Sequence, residues 1–340
     1  MPDLTSDRRP SDSPYPGAAT ALGKTARRIL LASLIAEVGI IVTGGLVRLT
    51  GSGLGCPRWP ECSTGNLVPV TDQAEGLHSL IEFGNRLLTS VVFITAVAAL
   101  LAVLRPALAR RFGGPWGTPG LARKPLIVLA VLVLVGIVCQ ALLGGLTVLT
   151  ELNPATVAAH FLLSIAMVAA AFVLYRRALE PADAPISITV RRELRLLAQA
   201  LVVVAILVLL LGTIVTGSGP HSGDAEKAAR FALDVRTMSW LHSDVVLVFM
   251  GLALTFALGA RLTDAPRKVQ RAGVVLIAAC LAQGLIGYVQ YFTGVPEALV
   301  AMHLLGACLV WLAVLSVLVS TRSRGPVQAN PVQVNTVQAN

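Results

Sequence analysis

Charge is scarce in this chain. Asp, Glu, Lys and Arg together make up 13% of its 340 residues, about half the share of a soluble globular domain. With 55% hydrophobic residues and a mean hydropathy of +0.76, that scarcity excludes a water-soluble fold and makes the bilayer the solvent. A removable secretory signal is missing too: the first apolar run follows a polar, Pro/Ser-rich leader (1–28) and is too long for a signal-peptide core, so it reads as a retained helix. Acidic residues are the scarcer sign, 18 against 27 basic, and the net charge of +9 raises the question of nucleic acid. The placement of the basic residues answers it otherwise.

Runs of about 20 apolar residues, enough to cross ~30 Å of hydrocarbon, occur near 29–48, 78–104, 125–147, 155–175, 194–215, 238–260, 272–293 and 298–320. Basic residues gather at alternate ends of these spans. Five precede the first (Arg8, Arg9, Lys24, Arg27, Arg28), five follow the second, five surround the connection between the fourth and fifth, four lie between the sixth and seventh, and two follow the eighth. That places 21 of 27 on one side. Positive residues mark the cytoplasmic side, so the chain is expected to be a multi-pass protein of a prokaryotic plasma membrane with both termini in the cytoplasm. Its positive charge then faces anionic lipid headgroups, not nucleic acid. The leader 1–28 and the tail 321–340, with its "VQANPVQVNTVQAN" repeat, have no apolar face and are expected to be disordered.

The spans repeat. Gln140, Gly144 and His160 are spaced by 4 and 16, and Gln283, Gly287 and His303 by 4 and 16 again; Thr50-Gly51-Ser52-Gly53 recurs as Thr216-Gly217-Ser218-Gly219. Two tandem four-helix units, 29–175 and 194–320, follow. Each has an even number of helices, so both start on the same side, and the axis of pseudo-two-fold symmetry should run along the membrane normal.

Histidines in apolar sequence are the candidates for chemistry, since an ionisable group in hydrocarbon is costly to keep. His160 and His303 lie about six residues inside their helices, and His242 enters from the same face to similar depth. Two facing imidazoles suit an axially ligated haem iron; zinc would want more ligands than converge here. The competing account is a histidine that bonds a neighbouring helix and only packs.

Cysteines divide by place: Cys139, Cys280 and Cys308 sit in apolar helices as packing residues, whereas Cys56 and Cys62, in "GCPRWPEC", face an oxidising compartment and are expected to be bridged. In the first unit "HSLIEFGNRLLTS" puts Asn85 at the position matching His242. His78 and Glu82 share its helical face, and Glu82 is placed to pair with Arg86 one turn on. The residues leave open a purely structural Glu82–Arg86 pair and a carboxylate that handles protons.

Together "GGLVRLTGSGLGCPRWPEC", "IEFGNR", "NPATVAAH" and "VPEALVAMH" resemble the haem A synthase family, membrane enzymes that finish the haem of terminal cytochrome oxidases. The likeness covers roughly residues 29–320 with all eight spans in order. It implies haem b held in the second unit by His242 and His303, and haem O as the substrate whose methyl group becomes the formyl of haem A in the first. It also implies that Cys56 and Cys62 match an outer-loop disulfide and that Glu82 matches an essential carboxylate, with Arg86 beside it in the substrate haem site. Asn85 departs from the pattern by standing where a ligand histidine belongs, which leaves His160 as the substrate haem ligand and His78 as a substitute. A supplier of haem O and terminal oxidase assembly factors are the implied partners. A b-type haem electron carrier would explain His242 and His303 but not Glu82. A haem transporter or delivery protein would explain the repeat, yet the broken helices that transporters use are missing. His221 has no role in any of these readings.

Overall fold

The computed structural model describes residues 22–112, 123–181, 185–221, 223–224 and 229–324. Eight helices run in chain order: α1 Lys24–Leu49, α2 Leu77–Phe112, α3 Lys124–Leu149, α4 Pro154–Ala178, α5 Arg192–Ser218, α6 Val235–Leu262, α7 Arg267–Phe292 and α8 Glu297–Ser320. All are long and apolar enough to span a bilayer, where helices satisfy every backbone group without water. The protein is thus an all-α integral membrane protein with eight transmembrane helices. Six of the helices, α1 to α6, extend past both ends of the apolar run that predicts them, because hydropathy marks only the part in hydrocarbon while backbone hydrogen bonding continues into the interface.

Two boundaries correct the sequence reading. Lys24–Arg28, read as the end of a disordered leader, are already helical in α1. Arg322–Arg324, read as disordered tail, form strand β2, which pairs antiparallel with β1, Ile186–Ile188, in the connection between the two units. Helical propagation from the apolar segment carries the first; backbone pairing to a partner about 135 residues away carries the second, and no local pattern announces it. The rest of the expected disorder, at 1–21 and 325–340, lies outside the described residues.

Local chemistry sets the helix ends. Asn153 caps α4 by accepting from the Ala155 N–H at 3.0 Å, with Pro154 as its first residue. Asp234 caps α6 by accepting from the Thr237 hydroxyl at 2.6 Å and its N–H at 2.8 Å, bonds that hold its carboxyl below the usual aspartate range. The α3–α4 and α7–α8 hairpins close through one kind of turn. Glu151 and Leu152 have positive φ in the first, Gly294 and Val295 in the second. Leu152 N–H then donates to the Thr147 carbonyl at 2.8 Å, and Val295 N–H to the Gln290 carbonyl at 2.7 Å.

Within each unit consecutive helices pack and the fourth returns to the first, making two rings of four, α1–α4 and α5–α8. Diagonal helices, such as α2 and α4 or α6 and α8, make no close backbone approach among the described residues. The rings meet where α1 touches α8, α4 touches α5, and α4 touches α8, a pattern unchanged when the two units are exchanged. The main core cluster draws on all eight helices, with Phe256 on α6 and, on the seam helices, Leu201, Val168 and Val314 fully buried. There the buried Trp311 Nε1–H donates to the Ile165 carbonyl at 3.1 Å. The turns at 50–76, 150–153 and 293–296 and the described residues 219–221 and 229–234 share one face of the molecule, the disulfide face; the strand pair and most of the described arginines share the other.

Candidate functional site

The duplicated Gln, Gly and His have a common geometry. In an antiparallel hairpin, residues equidistant from the turn oppose each other, which brings Gly144 beside His160 and Gly287 beside His303. A Cβ added at either glycine would lie 3.2 Å from the histidine Cε1, so a larger residue would crowd the ring. One turn deeper, the Gln140 amide donates to the His160 carbonyl at 3.1 Å and the Gln283 amide to the His303 carbonyl at 2.8 Å. Glutamine fixes the histidine backbone, and glycine admits its ring.

The other two helices of each ring show the same pairing with one change. Gly212 of α5 faces His242 of α6, a Cβ there meeting Cε1 at 3.4 Å; Gly44 of α1 faces Asn85 of α2, a Cβ there meeting Nδ2 at 3.7 Å. Asn85 and His242 are thus each set against a glycine of the preceding helix. His160 and His303 begin six residues into their helices, His242 seven and Asn85 eight, so all lie at comparable depth below the disulfide face. His242 and His303 come from diagonal helices of the second ring, α6 and α8.

These residues have the donor chemistry that could hold a haem iron. Nδ1 of His160, His242 and His303 is buried without a hydrogen bond of normal geometry, although His242 leans toward the Val208 carbonyl. Each residue nonetheless keeps some accessible surface. Nε2, the nitrogen left for an axial ligand, is not among the buried unpartnered atoms. The two candidate ligands of each ring come from diagonal helices, which make no close backbone approach among the described residues. Among the described residues no three His, Cys, Asp or Glu side chains gather as a protein-only metal site needs.

Above the first ring the disulfide loop is tied down by charge. Cys56 and Cys62 are bridged and both fully buried. Glu82, 6% exposed, accepts from the Cys56 N–H at 2.7 Å and pairs with Arg86, whose Nε lies 3.0 Å away. The same guanidinium donates to the carbonyls of Cys56 at 2.9 Å and Glu61 at 3.2 Å. Trp59, in the loop, packs on Gly145 of α3. One ion pair on α2 therefore fixes the loop that covers the ring.

The structure separates some residues that the sequence groups. His78 is exposed at the start of α2, seven residues or ~10 Å above Asn85 along the helix, and its Nδ1 bonds the Ser52 hydroxyl at 2.8 Å; it is not brought beside His160. His221 Nε2 meets the Val295 carbonyl at 2.8 Å, which fastens the α5–α6 connection to the α7–α8 turn. Cys280 and Cys308 are buried, and Cys139 is exposed on its helix. Sequence reasoning overlooked Glu37, a buried acid in the middle of α1, although a lone carboxylate inside an apolar run is itself a signal. The two glycines opposite Asn85 and His242 could be found only in three dimensions.

The cytochrome oxidase assembly protein family (COX15-CtaA) matches residues 27–315. The heme A synthase of Geobacillus kaustophilus is 29% identical over 150 residues, 44% of this chain and 41% of that one. Those of Lysinibacillus sphaericus and Bacillus licheniformis are 32% and 30% identical over 145 and 156 residues, covering 42% and 45% of either chain. The aligned stretches thus span less than half the length of these relatives. The family match runs through all eight helices, from the fourth residue of α1 into the last turns of α8, and the chain belongs to the cytochrome oxidase assembly protein family.

Proposed function

We propose that the protein is an oxidoreductase that converts the methyl group of haem O to the formyl group of haem A, with the first ring as the substrate site and the second as the site of a resident haem b. The observation that carries this reading is the asymmetry between two otherwise matched rings: His242 and His303 in one, Asn85 and His160 in the other, each side chain set against a glycine. His242 and His303 would hold haem b, which supplies one-electron transfer when bound by two imidazoles. His160 would ligate the substrate iron, and Asn85 offers a carboxamide, a far weaker iron ligand than imidazole, on the opposite helix.

Oxidising a methyl group releases protons as well as electrons. In this reading Glu82 takes up those protons, while Arg86 and the Cys56 N–H orient its carboxylate. The three donors on Glu82 also favour a second role for the same residue, as the clamp of the disulfide loop, which shields the first ring from the aqueous side. A supplier of haem O and acceptors of haem A in oxidase assembly are the partners this activity needs, and the basic face would lie in the cytoplasm.

Extraction of porphyrins from the purified protein tests the proposal. Haem b together with haem O or haem A is expected, and His242→Ala or His303→Ala should abolish haem b while leaving a folded, monodisperse protein. Haem b alone, with no conversion of added haem O, would instead identify an electron carrier.

A further inference from the structure

We infer that Glu37, with Ser33 one turn away, forms a hydrogen-bonding site in the first ring for a hydroxyl group on the side chain of the substrate porphyrin. Both residues are 3% exposed. Glu37 has no partner among the described residues, and its Oε1 is fully buried. A carboxylate at the middle of a transmembrane helix is retained against a large desolvation penalty, and buried polar groups in folded proteins are almost always bonded. A ligand donor accounts for one that is not.

The second ring supplies the internal control. A shift of 168 residues superposes Gly44 on Gly212, the glycines facing Asn85 and His242, and it also superposes the buried faces of the two helices: Leu30 on Ala198, Ser33 on Leu201, Glu37 on Ala205, Ile41 on Leu209. The ring read above as the haem b site is apolar at the two positions where the ring read as the haem O site is polar. Haem O differs from haem b by a hydroxylated isoprenoid chain in place of a vinyl group, so a hydrogen-bond acceptor is the side chain that tells them apart. Glu37 lies on the same helical face as Gly44 and seven residues from it, ~10 Å along α1, comparable to the distance from the centre of a porphyrin to a group on its rim.

This inference rests on the proposed assignment of haem O to the first ring, and the test separates the two. Full-length protein in detergent is titrated with haem O and with an analogue whose side-chain hydroxyl is replaced by hydrogen. Wild type should bind haem O about tenfold more tightly than the analogue, about 1.4 kcal/mol. Glu37→Leu should bind both alike, and Glu37→Gln, whose amide still accepts, should keep most of the preference. Haem b content per chain, set by the second ring, reports folding of each variant. An unchanged preference in a haem b-loaded Glu37→Leu protein overturns the inference, even if its turnover is slow. Failure of wild type to take up haem O at all overturns the proposed function beneath it.

Discussion

Asn85 and Glu82 sit three residues apart on α2 and carry the two sharpest expectations. Asn85, like His242, is set against a glycine of the preceding helix, so Asn85→His places a second imidazole across from His160. Its first-ring haem should become six-coordinate and low spin in the absorption spectrum; an unaltered spin state would mean that this face of α2 does not point at the substrate iron. Glu82→Ala distinguishes a proton-handling group from a clamp. If Glu82 acts in the reaction, the variant should load haem b normally yet accumulate haem O or a partly oxidised product. As a clamp alone its loss would strand Arg86 at a cost of about 3 kcal/mol, the low end for a buried pair because Arg86 keeps 24% of its side-chain surface exposed, and the yield of folded protein would fall instead. Haem A formed per haem b-loaded molecule is the quantity to measure.

The disulfide loop between α1 and α2 is held mainly by the first ring. Its cysteine segment is tied to Glu82, Arg86 and, through Trp59, to Gly145, all in the first unit, while Gly53 N–H donates across to the Gly223 carbonyl at 3.0 Å. Replacing both Cys56 and Cys62 by serine should therefore impair conversion of haem O and leave haem b spectra of the second unit intact. Arg86→Met, which removes the tie to the loop carbonyls without touching the disulfide, should act in the same direction and add protease sensitivity within residues 55–62. Loss of haem b in either variant would show that the loop supports both rings. In the second unit the α5–α6 connection is fastened to the α7–α8 turn by the contact from His221 to Val295.

Over the whole molecule, two rings joined along α1, α4, α5 and α8 place both candidate haem sites at one depth below a single face. If the basic face is cytoplasmic, a cysteine introduced at the exposed Thr64 should react with a membrane-impermeant thiol reagent in intact cells. One introduced at Asp264, in the α6–α7 turn, should react only after permeabilisation. The reverse pattern would invert the topology. The native helix cysteines give the background, since Cys280 and Cys308 are buried.

The sequence by itself determined the solvent, the eight spans, the tandem repeat and the histidines, because each rests on local composition or on fixed spacing along one chain. A run of apolar residues must become a helix in hydrocarbon whatever surrounds it, and the 4 and 16 spacing is countable. It also reached the Cys56–Cys62 bridge, whose partners are six residues apart. What it could not reach depends on side chains from distant segments meeting. The glycines opposite Asn85 and His242, the glutamine bond to each histidine carbonyl, the loop held by Arg86 and the pairing of Ile186–Ile188 with Arg322–Arg324 all join residues with no sequence rule relating them. Glu37 lies between these cases. Its presence is plain in the sequence, but that it is buried and unpartnered on the face shared with Gly44, opposite an alanine in the other ring, was decided only when α1 packed against its neighbours.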